Sequence, residues 1–288
     1  MFVYKLYDQA ALDSQYNNRR HVLDYADYLS RWEWLSRETE RKWPVIKDIP
    51  YGHLPGERLD VYPSLQPQSK TLIFIHGGYW QMLDKALFHF IANGFHAYGI
   101  TTVLLTYPRA PDVSMDQIVL SCRTAIQWLY RNVYAFDGDP HQMYVAGHSA
   151  GGHLSAMLMA TDWQLFNSGV PVNVLKGACF ISGLFNLVPI QLSYLNKVLK
   201  MDRETAIRNS PVRLEPLNAC PLIVAVGEAE TTEFNDQSKE IYACWKDKAS
   251  EIHFLQLPQL NHYSIVEALI DPNAALHMAI CQLMEVYT

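Results

Sequence analysis

The chain has 288 residues, enough to bury the core of one large α/β domain. Hydrophobic residues make up 49% of the sequence and charged residues 18%, which is typical of a globular protein. The formal net charge is −6, from 23 basic and 29 acidic residues. The sequence contains no basic cluster. This composition excludes an electrostatically driven nucleic-acid binder, and we expect a single domain spanning residues 1–288.

Cysteine usage and hydropathy argue against several further classes of protein. The five cysteines are widely scattered and form no C-x-x-C pair, which argues against a disulfide framework and a zinc site. Residues 1–10 contain no apolar leader core, and no apolar run approaches the roughly 18 residues of a membrane span. We therefore expect a cytoplasmic protein without membrane contact, metal or cofactor.

The predicted elements begin with helices and then alternate. Residues 1–43 have helical spacing up to the helix breaker Pro44 and predict an N-terminal helical arm over the domain. Two strands follow, with glycine and proline between them as hairpin material, at 45–51 and 58–62. From there the predicted strands are 72–75, 101–106, 143–146, 174–181, 222–226 and 252–257, and the main helices are 87–97, 115–130, 233–248 and 273–287.

This alternation of strand and helix predicts a mostly parallel sheet covered by helices on both faces. Residues 187–211 depart from the alternation of strand and helix more than any other stretch. We predict that they form a short lid over the site.

The most informative motif is the pentapeptide G-H-S-A-G at residues 147–151. It follows a short apolar run and opens an apolar segment with helical spacing, which is the strand–turn–helix context of a nucleophile elbow. The flanking glycines Gly147 and Gly151 would let the strand and the helix approach closely, because neither carries a Cβ. An ordinary Gly-Ser turn is the alternative, and this context favours it less than the elbow. We predict that Ser149 is a nucleophile at the carboxyl edge of the sheet.

A second glycine-rich segment lies upstream. The strand at 72–75 runs into the sequence H-G-G-Y-W at residues 76–80, which matches the loop that supplies oxyanion-hole donors in esterases. Glycine is needed where a side chain would block the developing oxyanion. We expect the main-chain N–H groups of Gly78, Tyr79 and Ala150 to carry this role.

A serine hydroxyl needs a base to take its proton and a third group to orient that base. In the α/β-hydrolase fold the chain order is Ser, acid and His, each after a sheet strand. His262 lies in the loop after the final predicted strand, whereas His253 lies within that strand and His277 within the last helix. Spacing alone leaves four candidates for the acid, which are Glu228, Glu230, Glu233 and Asp236.

Other side chains are candidates for the substrate pocket. An aromatic wall could be formed by Tyr79, Trp80, Phe185 and Tyr263, although core packing is an equal alternative. His148 and His153 flank the nucleophile, but no carboxylate or cysteine completes a metal set, so we expect them to pack against the sheet or to line the site.

The two motifs together resemble those of the kynurenine formamidase (arylformamidase) branch of the α/β-hydrolases, close to its bacterial carboxylesterase-like relatives. The similarity covers nearly the whole chain, through the segments 12–16, 76–81, 147–154, 181–185, 208–211, 233–238 and 261–262. The resemblance implies that Glu230, just before Thr231-Thr232-Glu233-Phe234, is the acid of the triad. Here the sequence departs from the animal formamidases, which resemble it but carry Asp at that place and Asp where this chain has Asn261.

The resemblance implies a serine hydrolase that cleaves an N-formyl arylamine or an aryl or short-acyl ester through an acyl-enzyme on Ser149. A broad-specificity carboxylesterase is the main alternative, and a non-catalytic ligand-binding protein on a hydrolase fold is a second one. The expected partner is a small aromatic amide or ester, and a homodimer is possible for the assembly.

Overall fold

The computed structural model describes residues 1–218 and 220–286. Its strands are β1 (Ile46–Pro50), β2 (Arg58–Tyr62), β3 (Ser69–Ile75), β4 (Thr101–Thr106), β5 (Gly138–His148), β6 (Leu175–Ile181), β7 (Pro221–Gly227) and β8 (Glu251–Leu257). Its α-helices are α1 (Gln9–Gln15), α2 (Asn18–His21), α3 (Tyr25–Lys42), α4 (Phe90–Phe95), α5 (Met115–Asn132), α6 (Ala150–Met159), α7 (Trp163–Phe166), α8 (Val188–Leu192), α9 (Asn196–Leu199), α10 (Arg203–Arg208), α11 (Thr232–Trp245), α12 (Ser264–Glu267) and α13 (Ala275–Leu283).

The strands form one sheet in the order β1-β2-β4-β3-β5-β6-β7-β8. β1 and β2 pair antiparallel with each other, and β2 pairs antiparallel with β4. All later neighbours pair parallel. This confirms the predicted mostly parallel sheet and the α/β-hydrolase class, and it places the loops that follow β3, β5, β7 and β8 at one edge.

The two faces of the sheet carry separate hydrophobic cores because side chains alternate along each strand. On β3, Ile73 and Ile75 belong to one core, and Leu72 and Phe74 belong to the other. Helices α5, α6 and α11 cover the first face, and helices α3, α4 and α13 cover the second. Helices therefore lie on both faces, as the sequence predicts.

Element boundaries differ from the predictions at several places. β5 begins at Gly138, well before the predicted start at residue 143, because Gly138 pairs with Ser69 even though the intervening residues are polar. The predicted helix 273–287 is shorter in the structure, where α13 spans Ala275–Leu283. The predicted end of that helix, Tyr287, and the end of the predicted domain, Thr288, lie outside the described residues. No helix in the described ranges is both long and apolar enough to cross a bilayer.

Residues 1–43 hold three helices that are tied to the domain by ion pairs. Lys5 contacts the fully buried Glu233 at 2.8 Å and Asp236 at 3.1 Å, both on α11. Further along, Arg31 binds Glu267 of α12 through two nitrogens, at 2.7 and 3.0 Å. These contacts fix the arm against the loops at the carboxyl edge of the sheet.

At the turn between β5 and α6, two backbones approach closely. Ser149 has φ 58° and ψ −118°, a left-handed backbone that a non-glycine residue adopts only at a cost of roughly 1–3 kcal/mol. A Cβ added to Gly147 would lie 2.1 Å from the carbonyl oxygen of Gly151, and a Cβ on Gly151 would lie 1.9 Å from that of Ile75. The glycines are therefore required by the packing of α6 against β3 and β5.

We expect Gly151→Ala to lower the free energy of unfolding by about 1–3 kcal/mol, because the new methyl group meets main-chain atoms that have no room to move. Chemical denaturation followed by circular dichroism measures this change. Gly169→Ala is the matched control, since its added Cβ would meet only side-chain atoms, at 3.2 and 3.5 Å. Equal stability of the two variants would contradict the close-packed elbow.

Candidate active site

A cavity of about 280 Å³ lies at the carboxyl edge of the sheet, between the arm and the loops that follow β3, β5 and β8. Both glycine-rich motifs open onto it. Its lining residues are Tyr16, Asn17, Asn18, Arg19, Leu29, Trp32, Gly77, Gly78, Tyr79, Gln81, Met82, Leu83, Phe88, His148, Ser149, Tyr194, Leu195, His262 and Tyr263.

The structure places Glu230 against His262. Glu230 Oε2 lies 2.6 Å from His262 Nδ1, and the side chains are 1% and 8% exposed. The second oxygen, Oε1, accepts a hydrogen bond from Ser182 Oγ at 2.5 Å and another from the Gly227 N–H at 2.8 Å. A carboxylate held by two donors turns its remaining oxygen toward the imidazole, so the proton is on Nδ1 and Nε2 is left as an acceptor.

The other three acid candidates make different contacts. Glu233 and Asp236 both pair with Lys5 of the arm, and Glu228 is exposed beside the main chain of Gln259. Glu230 is thus the member of the four that the structure brings to His262. Ser182, which supports Glu230, was not identified from the sequence; its position at the end of β6 is the signal that could have found it.

Ser149 and His262 line the same cavity, and Ser149 is 2% exposed. Within the part of the chain that the structure describes, no hydrogen bond joins the Ser149 hydroxyl to His262. Such contacts are commonly long in ligand-free hydrolases and tighten when substrate binds. The direct Ser149–His262 contact therefore stays a prediction.

Two of the three expected oxyanion donors, Gly78 and Tyr79, line this cavity, and the third, Ala150, directly follows Ser149. In the described ranges, the main-chain N–H groups of Gly78, Tyr79 and Ala150 donate to no other group of the protein. Gly78 and Tyr79 have φ values of 108° and 49°, which turn the loop sharply away from β3. The Tyr79 hydroxyl donates to the Tyr16 carbonyl at 2.6 Å and so fastens this loop to the arm.

Two of the four side chains predicted for the substrate pocket do not line the cavity. His148 and Tyr263 line the cavity, but Trp80 and Phe185 do not. The prediction that Trp80 and Phe185 face the substrate is wrong, because both side chains are fully buried in the core. The Trp80 indole packs against the ring of His153, and Phe185 packs against Phe180.

His148 is a neutral group in the cavity wall. Its ring lies 4.6 Å from that of His262, and the residue is 4% exposed. Burial, and then the charge that His262 carries when protonated, hold the pKa of His148 well below its ordinary value. His148 is therefore an uncharged imidazole beside the predicted nucleophile.

The arm contributes a wall of the cavity that the sequence did not predict in detail. Tyr16, Asn17, Asn18 and Arg19 come from its first turns, and Trp32 comes from α3. Tyr263, next to His262, stacks on Tyr28 of α3 at 5.8 Å between ring centres. The spacing of these residues indicated helices, but the face they present depends on the long-range ion pairs of the arm.

Arg19 carries the only formal charge among the described residues that line the cavity, apart from the histidines. Its guanidinium lies 3.2 Å from the Met82 sulfur and over the ring of Tyr25, and it makes no ion pair with any described carboxylate. The wall at this end of the cavity is therefore cationic without a compensating acid.

The sequence of this chain is similar to those of known proteins. Residues 59–175 match the sequence family described as BD-FAE. The kynurenine formamidase of Danio rerio is 36% identical over 252 residues, covering 84% of each chain. That of Salmo salar is 34% identical over 248 residues, covering 83% of this chain and 82% of the relative.

Solved structures show the same architecture. A candidate thioesterase from Silicibacter sp. TM1040 superimposes with a TM-score of 0.83 at 27% identity, covering 93% of this chain and 98% of that one. The carboxylesterase EstE1 from a metagenomic library superimposes with a TM-score of 0.71 at 19% identity, covering 91% and 97%, and shows the fold alone. From the site and these similarities together, the chain belongs to the kynurenine formamidase family of α/β-hydrolases.

Proposed function

We propose that this hydrolase cleaves an N-formyl arylamine or an aryl or short-acyl ester through an acyl-enzyme on Ser149. The observation that carries the proposal is the 2.6 Å contact between Glu230 and His262 at the cavity that Ser149 also lines. This arrangement leaves His262 Nε2 as a hydrogen-bond acceptor, as a general base requires.

In the proposed first step the Ser149 oxygen attacks the carbonyl carbon of the formyl or acyl group while His262 takes the hydroxyl proton. Glu230 holds the imidazole in the required tautomer and stabilises the imidazolium. His262 then protonates the departing arylamine or alcohol. A water molecule, deprotonated by His262, attacks the acyl-enzyme and releases formate or another short carboxylate together with free Ser149.

The negative charge of each tetrahedral intermediate falls on the former carbonyl oxygen. The N–H groups of Gly78, Tyr79 and Ala150 make no bond within the described protein, so a bound oxyanion satisfies them without breaking an existing contact. Donors that are fixed before reaction need little reorganisation, and each is worth on the order of 10²–10³ in kcat.

The cavity walls favour an aromatic substrate. Trp32, Tyr79, Phe88 and Tyr263 supply aromatic surface, and Arg19 supplies a cation at the arm end. The fish relatives named above are kynurenine formamidases, which supports a formamide as the substrate. The alternative is a broad-specificity carboxylesterase, because the same serine, base and oxyanion donors can also cleave a simple ester.

Location and assembly remain predictions. We expect a cytoplasmic protein, which fractionation of cells expressing a tagged copy would check, and a homodimer is the assembly that gel filtration with light scattering would test. A small aromatic amide or ester is the expected partner, and neither nucleic acid nor a membrane is expected to bind.

Replacing Ser149 by alanine removes the nucleophile and is expected to lower kcat by about 10⁶-fold for phenyl acetate, with the fold retained. The measurement is initial-rate hydrolysis beside a circular dichroism spectrum. A fluorophosphonate probe should label the wild-type protein and leave Ser149→Ala unlabelled. Substantial esterase activity in the folded variant would overturn the assignment of the nucleophile.

Replacing Glu230 by glutamine keeps the shape of the side chain but loses the charge that orients His262. We expect kcat to fall by roughly 10³–10⁴-fold with a smaller change in KM. Glu228→Gln, two residues away and exposed, is the matched control and is expected to stay within about threefold of wild type. If the two variants lose activity equally, the acid of the triad is misassigned.

The unpaired Arg19 predicts a preference for aryl substrates that bear a carboxylate. We expect 2-formamidobenzoate to have a higher kcat/KM than formanilide, and Arg19→Gln to reduce this ratio by about tenfold, mainly through KM. Arg20→Gln, which alters an exposed arginine outside the cavity lining, should leave the ratio unchanged. The same panel, extended to phenyl and alkyl acetates, separates a formamidase from a general carboxylesterase.

A further inference from the structure

A buried histidine connects the loop of the oxyanion donors to the helix that begins at the nucleophile. His153 lies one turn into α6, and its own main-chain N–H donates to the Ser149 carbonyl at 3.2 Å. The side chain is fully buried and lines no part of the cavity. It therefore touches no substrate, and any effect on the reaction passes through its neighbours.

Both ring nitrogens of His153 make hydrogen bonds, and a single tautomer satisfies both. Nδ1 accepts the indole N–H of Trp80 at 3.1 Å, so the proton must be on Nε2. Nε2 donates to the main-chain carbonyl of Asn209 at 2.8 Å. Burial lowers the pKa of His153 to about 4, so the ring is neutral throughout the working range of pH.

The Trp80 end of this connection holds a strained loop. Gly78, Tyr79 and Trp80 have φ values of 108°, 49° and 59°, and the two aromatic residues are in a region that disfavours side chains. Such a conformation persists only when surrounding contacts impose it. The buried Trp80 side chain is held by its hydrogen bond to His153 Nδ1. The indole also makes an edge-to-face contact with the His153 imidazole, with 5.0 Å between the ring centres.

The Asn209 end joins the segment predicted as a lid, residues 187–211. Asn209 is 3% exposed, and its amide donates to Asp116 of α5 at 2.8 Å. Next to it, Ser210 Oγ accepts the Leu187 N–H at 2.8 Å and so ties the two ends of the segment together. The same histidine thus contacts the oxyanion loop, the nucleophile's helix and the base of the lid segment.

We propose that His153 is a positioning residue that holds the N–H groups of Gly78 and Tyr79 in register with Ser149. The Nδ1 acceptor is essential for this role, because it fixes the Trp80 side chain. Trp80 in turn fixes the strained loop that carries the N–H groups of Gly78 and Tyr79. The donor at Nε2 secures the ring to the base of the lid segment. This inference rests on the proposed function of the three main-chain donors as the oxyanion hole.

Two substitutions separate the roles of the two nitrogens. In His153→Asn the side-chain oxygen can replace the Nδ1 acceptor for Trp80, whereas in His153→Gln the longer amide replaces the Nε2 donor to Asn209 and leaves the Trp80 indole without its partner. We expect kcat for phenyl acetate to fall by about 10²-fold in His153→Gln and by less than about tenfold in His153→Asn, with KM nearly unchanged in both.

A second measurement reports on the oxyanion hole directly. Phenyl trifluoromethyl ketone forms a tetrahedral adduct with an active serine, and its inhibition constant should rise in His153→Gln in proportion to the loss of kcat. Trp80→Phe removes the indole N–H that donates to His153 Nδ1. Since Trp80→Phe and His153→Gln break the same hydrogen bond, their losses of kcat should not add in the double variant. His277→Gln, a buried histidine in α13 on the opposite face, is the control that is expected to lose stability without losing kcat.

The outcomes are distinct. A wild-type protein that hydrolyses no substrate in the panel overturns the proposed function itself. An active wild type whose His153→Gln variant keeps full kcat and inhibitor affinity per folded molecule overturns only the positioning role. Equal kcat losses in the Asn and Gln variants, or additive losses with Trp80→Phe, likewise show that His153 acts merely as part of the core.

Discussion

The site depends on one packing constraint, the close approach of three main-chain segments at the carboxyl edge of the sheet. β3, the turn at Ser149 and the loop that follows β3 lie so near one another that a methyl group on Gly151 would meet the Ile75 carbonyl, and one on Gly77 would meet Ser149 Cβ at 3.0 Å. Ser149 and Ala150 belong to the turn, whereas Gly78 and Tyr79 belong to the loop after β3, so this close approach brings the two sets of groups together. The strain at Ser149, Tyr79 and Trp80 is tolerated because the surrounding core fixes it.

Around this contact the protein uses buried hydrogen bonds to select single arrangements. Glu230 is oriented by Ser182 and the Gly227 N–H before it reaches His262, and His153 is held in one tautomer by Trp80 and Asn209. In a low-dielectric interior an unsatisfied partner is costly, so each fully bonded group strongly favours one geometry. The result is a set of polar groups that are aimed before a substrate arrives.

The arm has a different part in the site. Its helices close one side of the cavity, and they are attached through charged groups, among them Lys5 with Glu233 and Arg31 with Glu267. The Tyr16 carbonyl accepts the Tyr79 hydroxyl, so the arm also contacts the loop of the oxyanion donors. Part of the cavity wall is therefore set by residues that are remote in sequence from the two glycine-rich motifs, and these residues include Arg19, which forms no ion pair with a described carboxylate.

Local sequence was sufficient wherever a short stretch of chain imposes its own geometry. Glycines two positions from Ser149, a buried strand entering H-G-G-Y-W and the alternation of strands and helices predicted the sheet, the elbow and the loop at residues 76–80. Boundaries such as the early start of β5 were missed, because pairing with Ser69 overrides the polar character of the residues concerned.

The sequence by itself determined the class of fold and the turn between strand and helix at Ser149, because backbone sterics and hydrophobic periodicity act over a few residues. The tertiary structure decided which carboxylate meets His262, since Glu228, Glu230 and Glu233 are equivalent in spacing and differ only in what lies across from them. The tertiary structure also places the side chains of Trp80 and Phe185 in the core and Arg19 in the wall of the cavity. Side-chain direction across long sequence separations follows from packing and charge pairing, which no local pattern encodes.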